Sequence, residues 1–218
     1  MARRPDFREK PKLKKLDRRD MSLKRPGLAT DRTGAQTASS PKKRRLNEIL
    51  RVDHAGEYGA VRIYQGQIAV LKARERRGAV DDEMLATIRH MEEQEQEHLA
   101  AFNKILNERK VRPTAMTPVW HVAGYALGAT TALMGEKAAM ACTAAVEEVI
   151  EQHYQDQLDT LDTDEEELRA AITQFREDEL AHRDTALGHG AEETPGYRAL
   201  SGAIKAGTRL AIRISERI

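Results

Sequence analysis

Met84–Ile105, MLATIRHMEEQEQEHLAAFNKI, carries the unit Glu95-Gln96-Glu97-His98 in the middle of an apolar run. Met84, Ile88, Met91, Glu95, His98, Phe102 and Ile105 are spaced alternately by four and three residues. That rhythm keeps side chains on one face of an α-helix. A second unit, Glu179-Leu180-Ala181-His182, lies in the stripe Leu168, Ile172, Phe175, Glu179, His182, Ala186. Each unit follows a lone glutamate, Glu57 by 38 residues in one half and Glu147 by 32 in the other. Glu57 lies in Leu50, His54, Glu57, Val61, Tyr64, Ile68, Leu71, and Glu147 in Met140, Thr143, Glu147, Ile150, Tyr154, Leu158, Leu161. A four-helix bundle that turns a Glu, a Glu-x-x-His, a Glu and a Glu-x-x-His inward builds a site for two iron or manganese ions.

Spacing alone decides little in a chain with 7 His and 22 Glu among 218 residues. Register decides, because all six residues occupy positions where the core takes a hydrophobic side chain. A buried carboxylate without compensation is costly, so such groups are paired or bound to metal. Two readings compete: glutamates on solvated helix surface, and Glu–His hydrogen bonds without metal. The first suits Glu92, Glu93, Glu97, Glu148, Glu151 and Glu165 to Glu167, which lie off the stripes. Four carboxylates against two divalent ions are also neutral overall, which a low-dielectric interior tolerates.

The composition is that of one helical domain with appendages: 33% charged, 4% aromatic, and without an alternating strand pattern. The single cysteine, Cys142, forms no internal disulfide and points to a reducing compartment; it reads as a small packing residue. There is no Gly-rich phosphate loop and no zinc knuckle. Charge is uneven: residues 1–45 hold 16 Lys or Arg against 5 acids, and the remainder 20 against 30. With Pro5, Pro11, Pro26 and Pro41 and few large apolar residues, 1–45 is expected to be a mostly disordered basic arm and 46–218 the folded domain. Pro41-Lys42-Lys43-Arg44-Arg45 is similar to a nuclear-import or nucleic-acid patch. Asp6, Glu9, Asp17 and Asp20 count against a mitochondrial presequence.

Six helices are predicted. The first covers about 46 to 77, ending at Arg76-Arg77-Gly78, and the second runs from Asp81-Asp82-Glu83 to about 109. A third follows Pro113 and Pro118, a fourth holding Glu147 runs to about 161, a fifth opens at Thr163 as its cap, and a sixth spans 197–218. From Pro113 to Gly135 runs a stretch of 23 residues without Asp, Glu, Lys or Arg. Its length suits a membrane span, but its many Ala, Gly and Thr do not. It is either a buried helix of small residues or one that dips into a bilayer face without crossing, and the second is the expectation adopted. The sixth helix lines Tyr197, Leu200, Ile204, Gly207, Ala211, Ile214 and Ile218 on one face, with Arg198, Lys205, Arg209, Arg213 and Arg217 on the rest. A basic amphipathic helix of this kind lies on anionic lipid.

Arg51-Val52-Asp53-His54-Ala55-Gly56-Glu57-Tyr58-Gly59-Ala60 resembles the opening motif of the demethoxyubiquinone hydroxylases. Ala141 to Glu148, His153-Tyr154 and Phe175 to His182 resemble that family's later blocks, so the likeness covers about 46 to 218. It implies an all-α, ferritin-like four-helix bundle with two additional membrane-facing helices. It also implies a di-iron, oxygen-dependent monooxygenase that hydroxylates the ring of a 2-methoxy-6-polyprenyl-benzoquinol in ubiquinone biosynthesis. The family's metal ligands fall on Glu57, Glu95, His98, Glu147, Glu179 and His182. Glu95 and Glu179 are the expected bridges and Glu57 and Glu147 terminal ligands. Tyr154 is expected to line the pocket and His153 to hydrogen-bond nearby, with a packing role as the alternative for both. Asp53 and Asp178 are candidates for orienting the ligand histidines.

The expected cofactors are two iron ions, with oxygen as co-substrate and an external two-electron donor. The expected partners are a membrane surface, the polyprenyl quinol and other ubiquinone-biosynthesis proteins, with a homo-oligomer open. The expected place is the cytoplasmic face of a bacterial membrane, or the matrix side of the mitochondrial inner membrane. Two rival functions are a soluble ferroxidase or peroxidase of the same fold, and a nucleic-acid-binding protein using the basic arm. The uncharged 113–135 stretch weighs against the first. Six ionisable residues in core register weigh against the second.

Overall fold

The computed structural model describes residues 40–76 and 82–218, and the expectation of a disordered arm falls on residues outside these except at 40–45. Among the described residues all regular structure is helical: α1 (Pro41–Glu75), α2 (Asp82–Arg109), α3 (Thr117–Met134), α4 (Glu136–Thr160), α5 (Glu166–Gly188) and α6 (Tyr197–Arg217), with a short 3-10 turn at Ala191–Glu193. The first helix starts five residues earlier than predicted. Ser40 accepts the Lys43 N–H at 3.2 Å and Pro41 takes the first turn, the chemistry that favours a helix start. The basic run Lys42 to Arg45 is therefore the exposed first turn of α1. Thr163 does not cap the fifth helix: its N-cap is Glu165, without a side-chain cap hydrogen bond.

The centre of the fold is α4. Every residue from Ala138 to Glu147 is buried, six of the ten being Ala or Cys. A helix covered on all sides suits small side chains, because neighbours can approach closely from each direction. Cys142 is fully buried there, and burial pushes its thiol up to about 12. It packs with Phe102, Val146, Tyr154 and Ile172.

Helix α3 lies against α1 at near backbone contact. A Cβ at Gly128 would meet the Ile63 carbonyl oxygen at 1.9 Å, and one at Gly66 would meet that of Tyr125 at 2.2 Å. Only glycine permits this approach. One residue, Gly135, joins α3 to α4, with φ of 130° that other residues rarely adopt. Only Gly128, Thr131 and Ala132 of α3 are buried, so it is not the wholly buried helix considered above.

Helix α6 corrects another expectation. Leu200 and Ile204 of its apolar face pack into the core with Phe102, Ile150 and Tyr154. Lys205 pairs with Glu148 at 2.6 Å, and Trp120 of α3 donates to Ser215 at 3.0 Å. That part of the stripe covers protein, because an apolar stripe looks alike whether it meets a bundle or a bilayer. Glu151 also departs from its expected solvated place: it is buried beside the Arg176 guanidinium, at 2.6 Å. The other off-stripe glutamates are exposed or half-buried.

Candidate metal centre

Helices α1, α2, α4 and α5 bring the six register residues to one place. Glu57, Glu95 and Glu179 are wholly buried, and Glu147, His182 and His98 are 1 to 3% exposed. They form two overlapping quartets, Glu57, Glu95, His98, Glu179 and Glu95, Glu147, Glu179, His182. Within each, one donor atom per residue lies within 4.8 Å of all the others. Glu95 and Glu179 belong to both, the arrangement expected of carboxylates shared between two ions.

Whether these residues fit metal ions is tested by their unsatisfied atoms. Eight buried atoms here make no hydrogen bond: Glu57 Oε2, both oxygens of Glu95, Glu147 Oε2, both oxygens of Glu179, and Nδ1 of His98 and of His182. Buried polar atoms are nearly always partnered, so this concentration of unpartnered donor atoms fits a cluster that could hold metal ions. The imidazoles agree. His98 Nδ1 lies 3.4 Å from Glu57 and 3.5 Å from Glu179, and His182 Nδ1 lies 3.0 Å from Glu95 and 3.4 Å from Glu179.

The far nitrogen of each imidazole is held from outside. His98 Nε2 faces Asp178 of α5 at 3.2 Å, and His182 Nε2 faces Gln94 of α2 at 3.3 Å. Each Glu-x-x-His helix thus orients the other helix's histidine with the residue just before its own glutamate. Such contacts fix the ring and turn Nδ1 inward. Asp178 lies against His98 as expected; Asp53 touches neither His98 nor His182 and lies against His153 and Gln157 instead. Gln94 was missed by sequence reasoning. Two tyrosines support the lone glutamates in the same crossed manner: Tyr64 of α1 donates to Glu147 at 2.7 Å, and Tyr154 of α4 donates to Glu57. Tyr64 was read only as part of a stripe. Its place seven residues after Glu57, matching Tyr154 seven after Glu147, is the signal that identifies it.

Without metal, protons hold the site's charges. Burial first, then neighbouring carboxylates, raises Glu95 and Glu147 well above the ordinary carboxylate range; burial also raises Glu57 despite His98 beside it. Burial would raise Glu179 too, but His182 and His98 hold it down at about 2. Burial would lower both histidines, yet their carboxylate neighbours keep them above the usual imidazole range.

An apolar cavity of about 270 Å³ lies beside the site, between α1, α3, α4 and α6. Ala60, Ile63, Leu127, Val146, Ile150 and Ile212 supply much of its wall. Tyr154 and His153, the two expected pocket residues, both line it, and Tyr154 links it to Glu57.

The curated proteins similar to this chain agree with the geometry. A 3-demethoxyubiquinol 3-hydroxylase of Rhodospirillum rubrum is 56% identical over 173 residues, covering 79% of this chain and 78% of that protein. The NADPH-dependent 3-demethoxyubiquinone 3-hydroxylase, mitochondrial, of Homo sapiens is 47% identical over 86% of this chain and 84% of its own length. The 5-demethoxyubiquinone hydroxylase, mitochondrial, of Saccharomyces cerevisiae is 38% identical over 84% and 82%. The family of the ubiquinone biosynthesis protein COQ7 matches residues 44–215. That span takes in both quartets, the crossed tyrosines and the cavity walls, so this chain belongs to the COQ7 family of ubiquinone biosynthesis proteins.

Proposed function

We propose that this chain is a di-iron monooxygenase that hydroxylates the ring of demethoxyubiquinol, a 2-methoxy-6-polyprenyl-benzoquinol. The observation that carries the reading is the pair of buried quartets joined through Tyr154 to an apolar cavity. The described helices α1, α2, α4 and α5 then act as a ferritin-like bundle. Bound iron would supply the activation of oxygen, one atom of which enters the ring while the other leaves as water with two electrons and two protons. The NADPH dependence in the names of the mitochondrial relatives supports a reduced nicotinamide as the electron source.

The chain's own residues have separate tasks. Glu57, Glu95, His98, Glu147, Glu179 and His182 would hold the two irons, with Glu95 and Glu179 common to both quartets, and Tyr154 and Tyr64 steady Glu57 and Glu147. Asp178 and Gln94 orient His98 and His182. The cavity binds the ring, excludes water and sets it beside Tyr154, and a ferroxidase would need no such apolar chamber. Its outer walls, α3 and α6, carry the large exposed apolar residues of the described chain: Val119, Val122, Tyr125, Leu133 and Met134 on α3, with Leu210 and Ile218 on and beside α6. Exposed patches of this kind mark contact surfaces. Arg198, Arg209, Arg213 and Arg217 are exposed on α6 as well, and basic residues favour anionic lipid. No helix among the described residues is long and apolar enough to cross a membrane. The chain therefore works as a peripheral protein, with the prenyl tail remaining in lipid. In a bacterium this is the cytoplasmic face of the cell membrane, where other ubiquinone-biosynthesis proteins are its partners.

Expression in a strain lacking its own hydroxylase tests the proposal. Mass spectrometry should show the added ring oxygen, carrying label from ¹⁸O₂, and the purified chain should hold two irons. Continued accumulation of the demethoxy compound, with iron-loaded protein present, rules the reading out.

A further inference from the structure

A second cavity, of about 490 Å³, lies where the end of α3 and the start of α4 meet Arg74 of α1 and the turn before α6. None of its lining residues lines the apolar cavity or belongs to the quartets. Three kinds of group converge there. The first is the start of α4, a helix of 25 residues whose N-cap is Gly135, with no side chain to accept from the opening N–H groups. Those N–H groups have no carbonyl partner within their own helix and carry partial positive charge, so such an end receives anions. The second is Thr194, which is 5% exposed and whose hydroxyl is buried without a hydrogen-bond partner. Buried hydroxyls are nearly always satisfied, and a group held in the cavity that Thr194 lines is its natural partner.

The third is an unusual balance of charge. Arg74 donates to the Ala132 carbonyl at 3.0 Å and forms no ion pair among the described residues. Lys137 is already paired with Glu193. Glu136, half-buried in the first turn of α4, also forms no ion pair among the described residues. A simple anion would gain from Arg74 and the helix start but would meet Glu136. A simple cation would gain from Glu136 but would meet Arg74. A molecule carrying both a phosphate and an ammonium group satisfies both. The rim adds a further requirement: Met134 lines the cavity at 57% exposure, and Leu133 beside it is 70% exposed. Large apolar side chains next to a polar pocket match a ligand whose head is continuous with hydrocarbon.

We propose that this cavity holds the headgroup of an aminophospholipid, with its phosphodiester at the start of α4, Arg74 and Thr194, and its ammonium at Glu136. This rests on the reading above that α3 meets the membrane, and it gives that contact a chemical preference. The guanidinium and the phosphate form charge-assisted hydrogen bonds, stronger than neutral ones. A primary ammonium has N–H groups to donate to the Glu136 carboxylate, as a lysine does; a quaternary choline has none.

The test uses purified, iron-loaded, full-length protein in flotation with vesicles of phosphatidylcholine, either alone or with part replaced by phosphatidylethanolamine. Both lipids are zwitterionic, so the net charge met by the arginines of α6 is the same. The wild type should bind the mixed vesicles roughly tenfold more tightly, the worth of one charge-assisted hydrogen bond. Glu136→Gln should bind the two kinds alike. Thr194→Val, which replaces only the hydroxyl by a methyl group, should bind both about fivefold more weakly, because both carry the phosphodiester. Both variants should keep the wild type's helical content and iron. Equal binding of wild type to the two kinds, or unchanged binding by Thr194→Val, overturns the inference and leaves the peripheral-membrane reading standing. A preference that survives in Glu136→Gln also overturns it, since bilayer packing and not this cavity would then be responsible. Saturable binding of glycerophosphoethanolamine in water without a vesicle preference would assign the cavity to a soluble phosphodiester and overturn the lipid as its source. Absence of binding to either vesicle defeats the membrane reading, and this inference with it.

Discussion

The two halves of the candidate metal centre, α1 with α2 and α4 with α5, share one construction and differ in a few places. Both carry a lone glutamate, a tyrosine seven residues later that crosses to the other half's glutamate, and a Glu-x-x-His whose preceding residue crosses to the other half's histidine. They diverge around the glutamines. At the Tyr64 end, Ala132 of α3 packs with Tyr64, Ala139 and Met140, and the partner of Gln67 is the neutral Thr143. At the Tyr154 end the space is open, and the partner of Gln157 is Asp53 beside His153. What the halves share builds the two quartets; what they do not share lines the apolar cavity.

The strongest way to break this comparison is to remove a shared carboxylate. Glu179→Ala deletes a member of both quartets, so both ions should be lost and product should fall to background. A variant with full metal content by elemental analysis would show that Glu179 is not a bridge.

A finer test uses the one difference inside the shared part. Asp178 is a carboxylate behind His98, whereas Gln94 is a neutral amide behind His182. Asp178→Asn should weaken retention of one ion by about 10- to 100-fold against a chelator, in line with other outer contacts. Gln94→Glu should tighten the other. Equal retention in wild type, Asp178→Asn and Gln94→Glu would mean that the two ion positions are equivalent despite their surroundings.

The smallest expected effect is the pH dependence of the metal-free chain. Glu57, Glu95 and Glu147 are raised above their ordinary value of 4.5, and His98 and His182 above 6.5. The folded metal-free chain therefore holds more of these protons than the unfolded chain once pH exceeds 4.5, so its stability falls as pH rises. Glu179 acts oppositely, but its contribution changes only below 4.5. Metal-loaded protein keeps these carboxylates ionised, and loading releases protons. The gap in Tm between loaded and metal-free protein should therefore widen from about pH 6 to about pH 8. A gap that narrows would contradict the assignment of these protons to the metal positions.

The clustering of the six candidate ligands was legible because a three-and-four rhythm says which side of a helix is inside, and a Glu or His on that side is conspicuous. The same rhythm says nothing about which neighbour waits across the gap. Asp53 was accordingly assigned to a ligand histidine, while Gln94 and Tyr64 went unnoticed as supports. The inner half of α6 was misread for a related reason. Leu200 and Ile204 carry the amphipathic signature of a lipid-facing surface, and only tertiary packing shows them against Phe102 and Ile150. The early start of α1 was available in Ser40-Pro41, but the surrounding lysines and arginines drew the eye to charge instead of the cap.

The backbone approach of α3 to α1 also says where this pocket can be remodelled. At Gly128 the Ile63 carbonyl leaves no space even for a methyl group, and Gly124 and Gly66 are nearly as confined. Anyone reshaping the chamber for a bulkier aromatic compound would find α3 resistant to editing. Helix α6 is the adjustable side: Gly207 has nothing within 4 Å of a would-be Cβ, and Thr208, Ala211 and Ile212 line the cavity beside it. Libraries for altered specificity belong on α6, with α3 left as the fixed jaw.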